Sequence, residues 1–272
     1  MVRRIATGLA LASVMAGAAG AAADEPTPLV SRPALEWSLT VVVGALWLTE
    51  TLAIAELAPS ECRWCESNAL DDRGRELRWS DREAARVTSD VISYGIAPLA
   101  AGGLLTLGAV SEGHAADLTT DLLIVAEAAV IAGVSGDLIR ILTGRERPWV
   151  HALPAEEKPA TDRPEQNNLS FISGHSATAF ALAVSSGTVA SRRGRRIAPA
   201  VWLTGLTLGA ATAYLRIAAD QHYLTDVLAG VGTGVAIGLA VPLLHRGGAR
   251  EARVQAAIAP VPGGGLLLIH FR

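Results

Sequence analysis

The chain has 272 residues, half of them hydrophobic and 18% charged, with a net charge of −3 and a mean hydropathy of +0.35. That length supports one domain with a sizeable core, and the apolar excess points to a membrane protein or an unusually apolar helical one. The slightly negative charge gives no reason to expect a nucleic-acid partner.

The start reads as an export signal. Arg3 and Arg4 precede an apolar stretch from Ile5, and Ala21-Ala22-Ala23 before Asp24 fits a small-residue cleavage pattern. Residues 1–23 are therefore expected to be a signal peptide. Export implies an oxidising compartment, where Cys62 and Cys65 can pair as a tight disulfide; a lone CxxC offers too few ligands for zinc, so no metal is expected there. Trp37 to Leu57 is apolar but interrupted by Glu50 and Glu56, so it is either a span or a buried amphipathic helix. Residues 58–90 are polar and mixed in charge, and 24–90 as a whole is expected to be an N-terminal helix with a polar cap region.

Val91 to Val110 is nearly uncharged and about the ~20 residues that cross a bilayer core. Asp121 to Leu142 is a second long helical candidate with Glu127 and Asp137 inside it, charges that at membrane depth face a polar cavity. A proline-broken loop spans 149–170, and further apolar runs are Phe171 to Ala190, Ala198 to Leu215 and Val227 to Leu244. The predicted fold is all-α: a bundle of about six core helices, membrane-embedded, over 91–244, with the active site at one end. The tail 245–272 is expected to be a loop and a short strand near Leu266 to Phe271.

Three clusters fall at one end of this bundle. Arg140 and Arg147 are seven residues apart, close to two helical turns, so both can face one side, and Pro148 stops the helix beyond them. Ser173-Gly174-His175 sits where a loop enters a helix, and unpaired N–H groups with the positive dipole end favour an anion there. His222 and Asp226 are four apart, so a carboxylate can lie over the same helix face as the imidazole. Taken singly, each cluster is equally well a solvated charge, a helix cap or a satisfied pair. Together with Arg216 they supply three guanidinium forks for phosphoryl oxygens, a nucleophilic His buttressed by Asp, and a second His free to act as an acid.

This arrangement resembles the phosphatidic-acid phosphatase type 2 / vanadium haloperoxidase superfamily. The match runs over Arg140 to Arg147-Pro148, then Ile172-Ser173-Gly174-His175, then Leu215-Arg216 to His222 to Asp226, with every internal spacing kept. Arg140 stands where the family usually has Lys, Ile172 where it has Pro, and Leu215 where it has Ser; none of these removes a catalytic group. The resemblance implies that Arg140, Arg147, Arg216, Ser173 and Gly174 bind phosphate. It implies that His222 attacks phosphorus, Asp226 orients it, and His175 protonates the leaving oxygen, with no metal or cofactor.

The expected function is hydrolysis of phosphate monoesters or diphosphates, of lipids first, with a soluble periplasmic acid phosphatase of small phosphate esters as the alternative and a vanadate-dependent haloperoxidase behind it. Arg-rich segments at 191–197 and 245–253 suggest the cytoplasmic side under the positive-inside tendency. The site would then face the periplasm from a bacterial-type inner membrane. One conflict stands: with a cleaved signal and spans at 37–57, 91–110 and 121–140, the first cluster would end in the cytoplasm. Either 37–57 does not cross, or the N-terminus stays inside, or the bundle is soluble.

Overall fold

The computed structural model describes Leu29 and residues 33–245, 254–261 and 264–271; the expected signal peptide lies outside the described residues. The chain is a helical bundle. Helix α1 is Pro33–Leu52, with a short α2 at Ile54–Leu57. Helices α3 (Ala69–Arg75) and α4 (Arg82–Val91) follow, and α4 runs through a π-helical turn at Ile92–Ile96 into α5 (Ala97–Ser111). Then come α6 (Leu118–Thr143), the short α7 (Pro148–His151), α8 (Gly174–Arg192), α9 (Ala198–Ala218) and α10 (Leu224–Leu244). The tail forms a hairpin rather than one strand: β1 (Val254–Val261) pairs antiparallel with β2 (Gly264–Phe271), Val254 opposite Phe271.

Helix α8 is the axis of the bundle. It is buried nearly all round, as a helix with no polar stripe must be, and it packs against α10, α9 and α6. Its residues are mostly Ala, Ser, Thr and Gly, small enough for neighbouring backbones to come close. The facing glycines of α10 complete that fit: a Cβ at Gly230 would stand 2.4 Å from the Ser173 carbonyl, and one at Gly234 2.3 Å from the Ala177 carbonyl. This close approach sets the start of α8 directly beside the start of α10.

The long helices alternate in direction. Ser89 and Asp90 of α4, the C-terminal turn of α6, the start of α8, the end of α9 and the start of α10 all gather at one end. At the other end, Arg193 reaches Asp121 at 2.8 Å, Arg195 reaches Asp117 at 2.8 Å, and His245 lies 3.5 Å from Glu36. Glu36 is in the first turn of α1, while Thr51 near its end lines the site-end cavity with Arg140. Helix α1 therefore runs the length of the bundle toward the site, its 20 residues covering ~30 Å, and 37–57 does not stop short.

Among the described residues, four stretches are long and apolar enough to cross a membrane: Arg82–Ser111, Ala115–Thr143, Ala198–Ala218 and Leu224–Leu244. Large apolar side chains point outward around the bundle, among them Leu52, Leu99, Leu203 and Leu244, the last 84% exposed. Such a belt is costly in water and natural in lipid.

Candidate active site

Three helix boundaries build the site. Helix α6 ends at Gly144, whose φ of +57° is the left-handed conformation that glycine takes without penalty. Arg63 covers this end, donating to the Leu142 carbonyl at 3.0 Å, so the chain turns inward and carries Arg145 and Arg147 into the protein. Cys62 and Cys65, which flank Arg63 and Trp64, are joined by a disulfide with Cα atoms 5.6 Å apart.

At the second boundary Ser173 is the N-cap of α8. Its hydroxyl lies 2.9 Å from the Ser176 hydroxyl, turned into the helix rather than toward the cavity. The Ser173 N–H donates to the Asp226 carbonyl at 3.0 Å, tying α8 to α10. Gly174 leaves room beside Arg140: a Cβ there would be 3.9 Å from the guanidinium carbon.

The third boundary is the start of α10, where Asp226 closes a capping box by accepting the Tyr223 N–H at 2.8 Å. Its carboxylate also accepts from the Ser170 hydroxyl at 2.6 Å and pairs with Arg145. His222 was expected to give a ring N–H to Asp226. Instead Nδ1 donates to the Ser170 carbonyl at 2.7 Å, and the nearest Asp226 oxygen is 3.9 Å away. Asp226 already serves the capping box, Ser170 and Arg145, and Ser170 bridges it to His222.

A cavity of about 790 Å3 opens at this end, and Arg140, Arg147, His175 and Arg216 all line it. Arg147 is held by the Gln166 carbonyl at 2.8 Å and by the Gln166 and Gln221 side chains. Arg216 donates to Ser89 at 3.0 Å and Asp90 at 3.1 Å; Arg140 pairs with Asp137. The buried Nε atoms of Arg140 and Arg216 have no partner, and neither does Nε2 of His222. His222 is 1% exposed behind the cavity wall. Burial, then the charges of Arg147, Arg216, Arg140 and His175, hold its imidazole well below the usual range. Burial among the other guanidinium groups likewise lowers Arg147. Among the described residues no group of three or more His, Cys, Asp or Glu is placed to hold a metal ion.

Chemically, this is an oxyanion cradle with an unprotonated imidazole nitrogen beside it. A family model described as PAP2 superfamily matches residues 121–248. The match supports a phosphatase-type activity in general terms. No curated protein and no solved structure matches the chain.

Several residues around the site had escaped the sequence reading. Arg145 is fully buried between the Trp64 and Tyr223 rings, 4.0 and 4.2 Å from their centroids, and pairs with Asp71 and Asp226. Asp71 also accepts the Thr225 N–H at 2.9 Å, so α3 straps the start of α10 from behind. Asp90 lies 2.8 Å from Nε2 of His175. Arg145 carried one signal, being a third Arg within eight residues; Asp71 and Asp90 carried none, because their partners are 74 and 85 positions away.

Proposed function

We propose that the protein hydrolyses lipid phosphate monoesters or diphosphates through a phospho-histidine intermediate on His222. One observation carries this reading. A carbonyl can only accept, so the Ser170 carbonyl fixes the proton on Nδ1 of His222 and leaves the buried, unpartnered Nε2 with a free lone pair, close enough to Arg147, Arg216 and Arg140 for their charges to act on the ring.

Arg140, Arg147, Arg216 and the Gly174 N–H take the charge of the phosphoryl oxygens, and this positioning and charge stabilisation supply most of the catalysis. Nε2 attacks phosphorus as the P–O bond to the alcohol breaks. His175 gives that oxygen its proton, and water then releases phosphate from His222. These steps draw on the chain's own groups and water.

A second opening supports the lipid part of the proposal. A groove of about 420 Å3 runs between α1 and the π-helical turn, lined by Trp47, Leu48, Ile54 and Tyr94, and ends on Arg140 and His175. It is flanked by the outward-facing Leu52 and Val91, so an apolar tail lying in the bilayer reaches the cradle sideways. The larger cavity has a polar rim with Glu156, Glu157 and Arg163; this favours small soluble phosphate esters as the second reading.

Arginines occur at both ends of the bundle, Arg63, Arg73, Arg75 and Arg78 at the site end against Arg192, Arg193, Arg195 and Arg196 at the other, so arginine bias does not orient it. The Cys62–Cys65 disulfide supports an oxidising compartment for the site end, and with it a periplasmic orientation in an inner membrane. With α1 running toward the site, residue 33 then starts inside. Fractionation followed by phosphatase assays on a phosphatidate and on a water-soluble ester tests the proposal: activity in the membrane fraction preferring the lipid supports it, and soluble activity indifferent to the lipid overturns the lipid reading.

A further inference from the structure

An acid histidine set among three arginines faces a difficulty. Burial, then the charges of Arg216 and Arg140, push the proton off the imidazole and its pKa down to about 3 even with Asp90 opposing them, yet a general acid must hold that proton when the leaving oxygen needs it. The groups facing His175 are Arg140 and Asp137 from α6, Arg216 from α9, Asp90 from α4, and the Tyr94 ring at a centroid distance of 4.7 Å. Arg140 is already paired with Asp137. Asp90 is the carboxylate in contact with the ring itself, 2.8 Å from Nε2. Arg86 holds its other oxygen at 2.8 Å, and Arg216 shares the first at 3.1 Å. Both ties fix the carboxylate in the ring's path, and the π-helical turn that follows directly brings Tyr94 onto the face of the same ring.

We propose that Asp90 is the positioning residue that makes His175 an acid, a role that rests on the phospho-histidine reading above. With Nε2–H committed to the Asp90 carboxylate, Nδ1 carries the transferable proton. As the P–O bond breaks, its electron pair goes to the alcohol oxygen, which takes the Nδ1 proton; the imidazole remains neutral with Nε2–H still on Asp90. In the second half, water attacks phosphorus as the P–Nε2 bond to His222 breaks and its electron pair returns to Nε2; Nδ1 of His175 takes a proton from that water, and its imidazolium is restored. Asp90 touches neither phosphorus nor the leaving oxygen; it acts through the His175 ring while also anchoring Arg216.

The test compares Asp90→Asn, nearly isosteric but uncharged, and Asp90→Glu, which keeps the charge, on p-nitrophenyl phosphate and on a short-chain phosphatidate. The aryl leaving group needs little protonation, and the alkyl one needs a full proton. Asp90→Asn is expected to lose ~100-fold or more in kcat on the phosphatidate and under ~5-fold on the aryl ester. Without the carboxylate His175 deprotonates sooner, so the alkaline limb of kcat moves to lower pH, and Asp90→Glu recovers part of both effects. Equal losses on the two substrates, an unmoved alkaline limb, or full activity would overturn the proposal. A fold defect would lower both substrates alike and would not be relieved selectively by Glu. Failure of the phosphatase reading is distinct: the unaltered protein would then hydrolyse neither substrate.

Discussion

The Ser170 carbonyl stands between His222 and Asp226, accepting from Nδ1 at 2.7 Å while the Ser170 hydroxyl donates to the Asp226 carboxylate at 2.6 Å. One residue thus passes the carboxylate's orienting influence to the imidazole from a distance of 3.9 Å.

This relay predicts unequal costs. Asp226→Asn removes the counter-charge of Arg145, which is 1% exposed and would keep only Asp71. Uncompensated buried charge costs about 3–5 kcal/mol, so unfolding in detergent is expected at a much lower temperature, with activity lost. Ser170→Ala leaves the carbonyl in place and removes one hydroxyl bond to a charged group, worth about 1.5–3 kcal/mol. It should keep measurable turnover; a Ser170→Ala protein as damaged as Asp226→Asn would contradict the relay.

The pH dependence follows from His222. Its imidazole is held well below the usual range by burial and the neighbouring arginines, so it is neutral at pH 7, as the proposed attack on phosphorus requires. In the unfolded chain it takes a proton near pH 6.5. The unfolded state therefore binds more protons below that pH, and native stability falls as the pH drops, by up to about 1.4 kcal/mol per pH unit. Comparing unfolding at pH 7 and pH 5 in the native protein and in His222→Gln measures this: the slope is expected to flatten in the variant, and an unchanged slope would refute the assignment.

Packing of α8 on α10 can be tested with two glycines on one helix. Gly230→Ala drives a methyl to 2.4 Å from the Ser173 carbonyl and should destabilise the protein by about 1–3 kcal/mol while shifting the cradle relative to His222. Gly232, where a Cβ meets nothing within 4 Å, should accept Ala with a gain of up to about 1 kcal/mol from helix propensity. Kinetics and thermal unfolding of the pair separate the two sites; equal behaviour would mean that the close approach does not set the geometry.

The Cys62–Cys65 disulfide closes a loop of only four residues, so its entropic worth is about 2 kcal/mol. The loop also seats Trp64 on Arg145. Cys62→Ser with Cys65→Ser is expected to lower thermal stability by that modest amount and to reduce turnover through Arg145 and Asp226. Full activity of the double variant would remove the loop from the account.

Much of this site was legible along the chain because its groups sit at helix boundaries, where motif spacing is local. Arg140 and Arg147 bracket one helix end, Ser173 to His175 open another, and Arg216, His222 and Asp226 bracket a turn. The order and type of the helices were legible for the same reason, since long apolar runs between polar breaks admit few alternatives. What escaped was the support behind the site. Asp90 belongs to a helix that starts at Arg82, because Asp81 caps it at Ala84; in the sequence the spacing of Leu70, Leu77, Ala84 and Ala85 only hints at a surface helix there, in a stretch read as a cap region. The Ser170 carbonyl is backbone, and no residue type announces it. The partners of Asp226 could not be divided among Arg145, Ser170 and His222 without coordinates.

The most direct measurement is to trap the phosphoenzyme. Rapid quenching of the protein during turnover of a 32P-labelled phosphate ester should give a label that is stable to alkali, labile to acid, and located on the peptide containing His222. The label should vanish in His222→Ala along with phosphate release. Normal turnover by His222→Ala, or a label residing on another residue, would contradict the account.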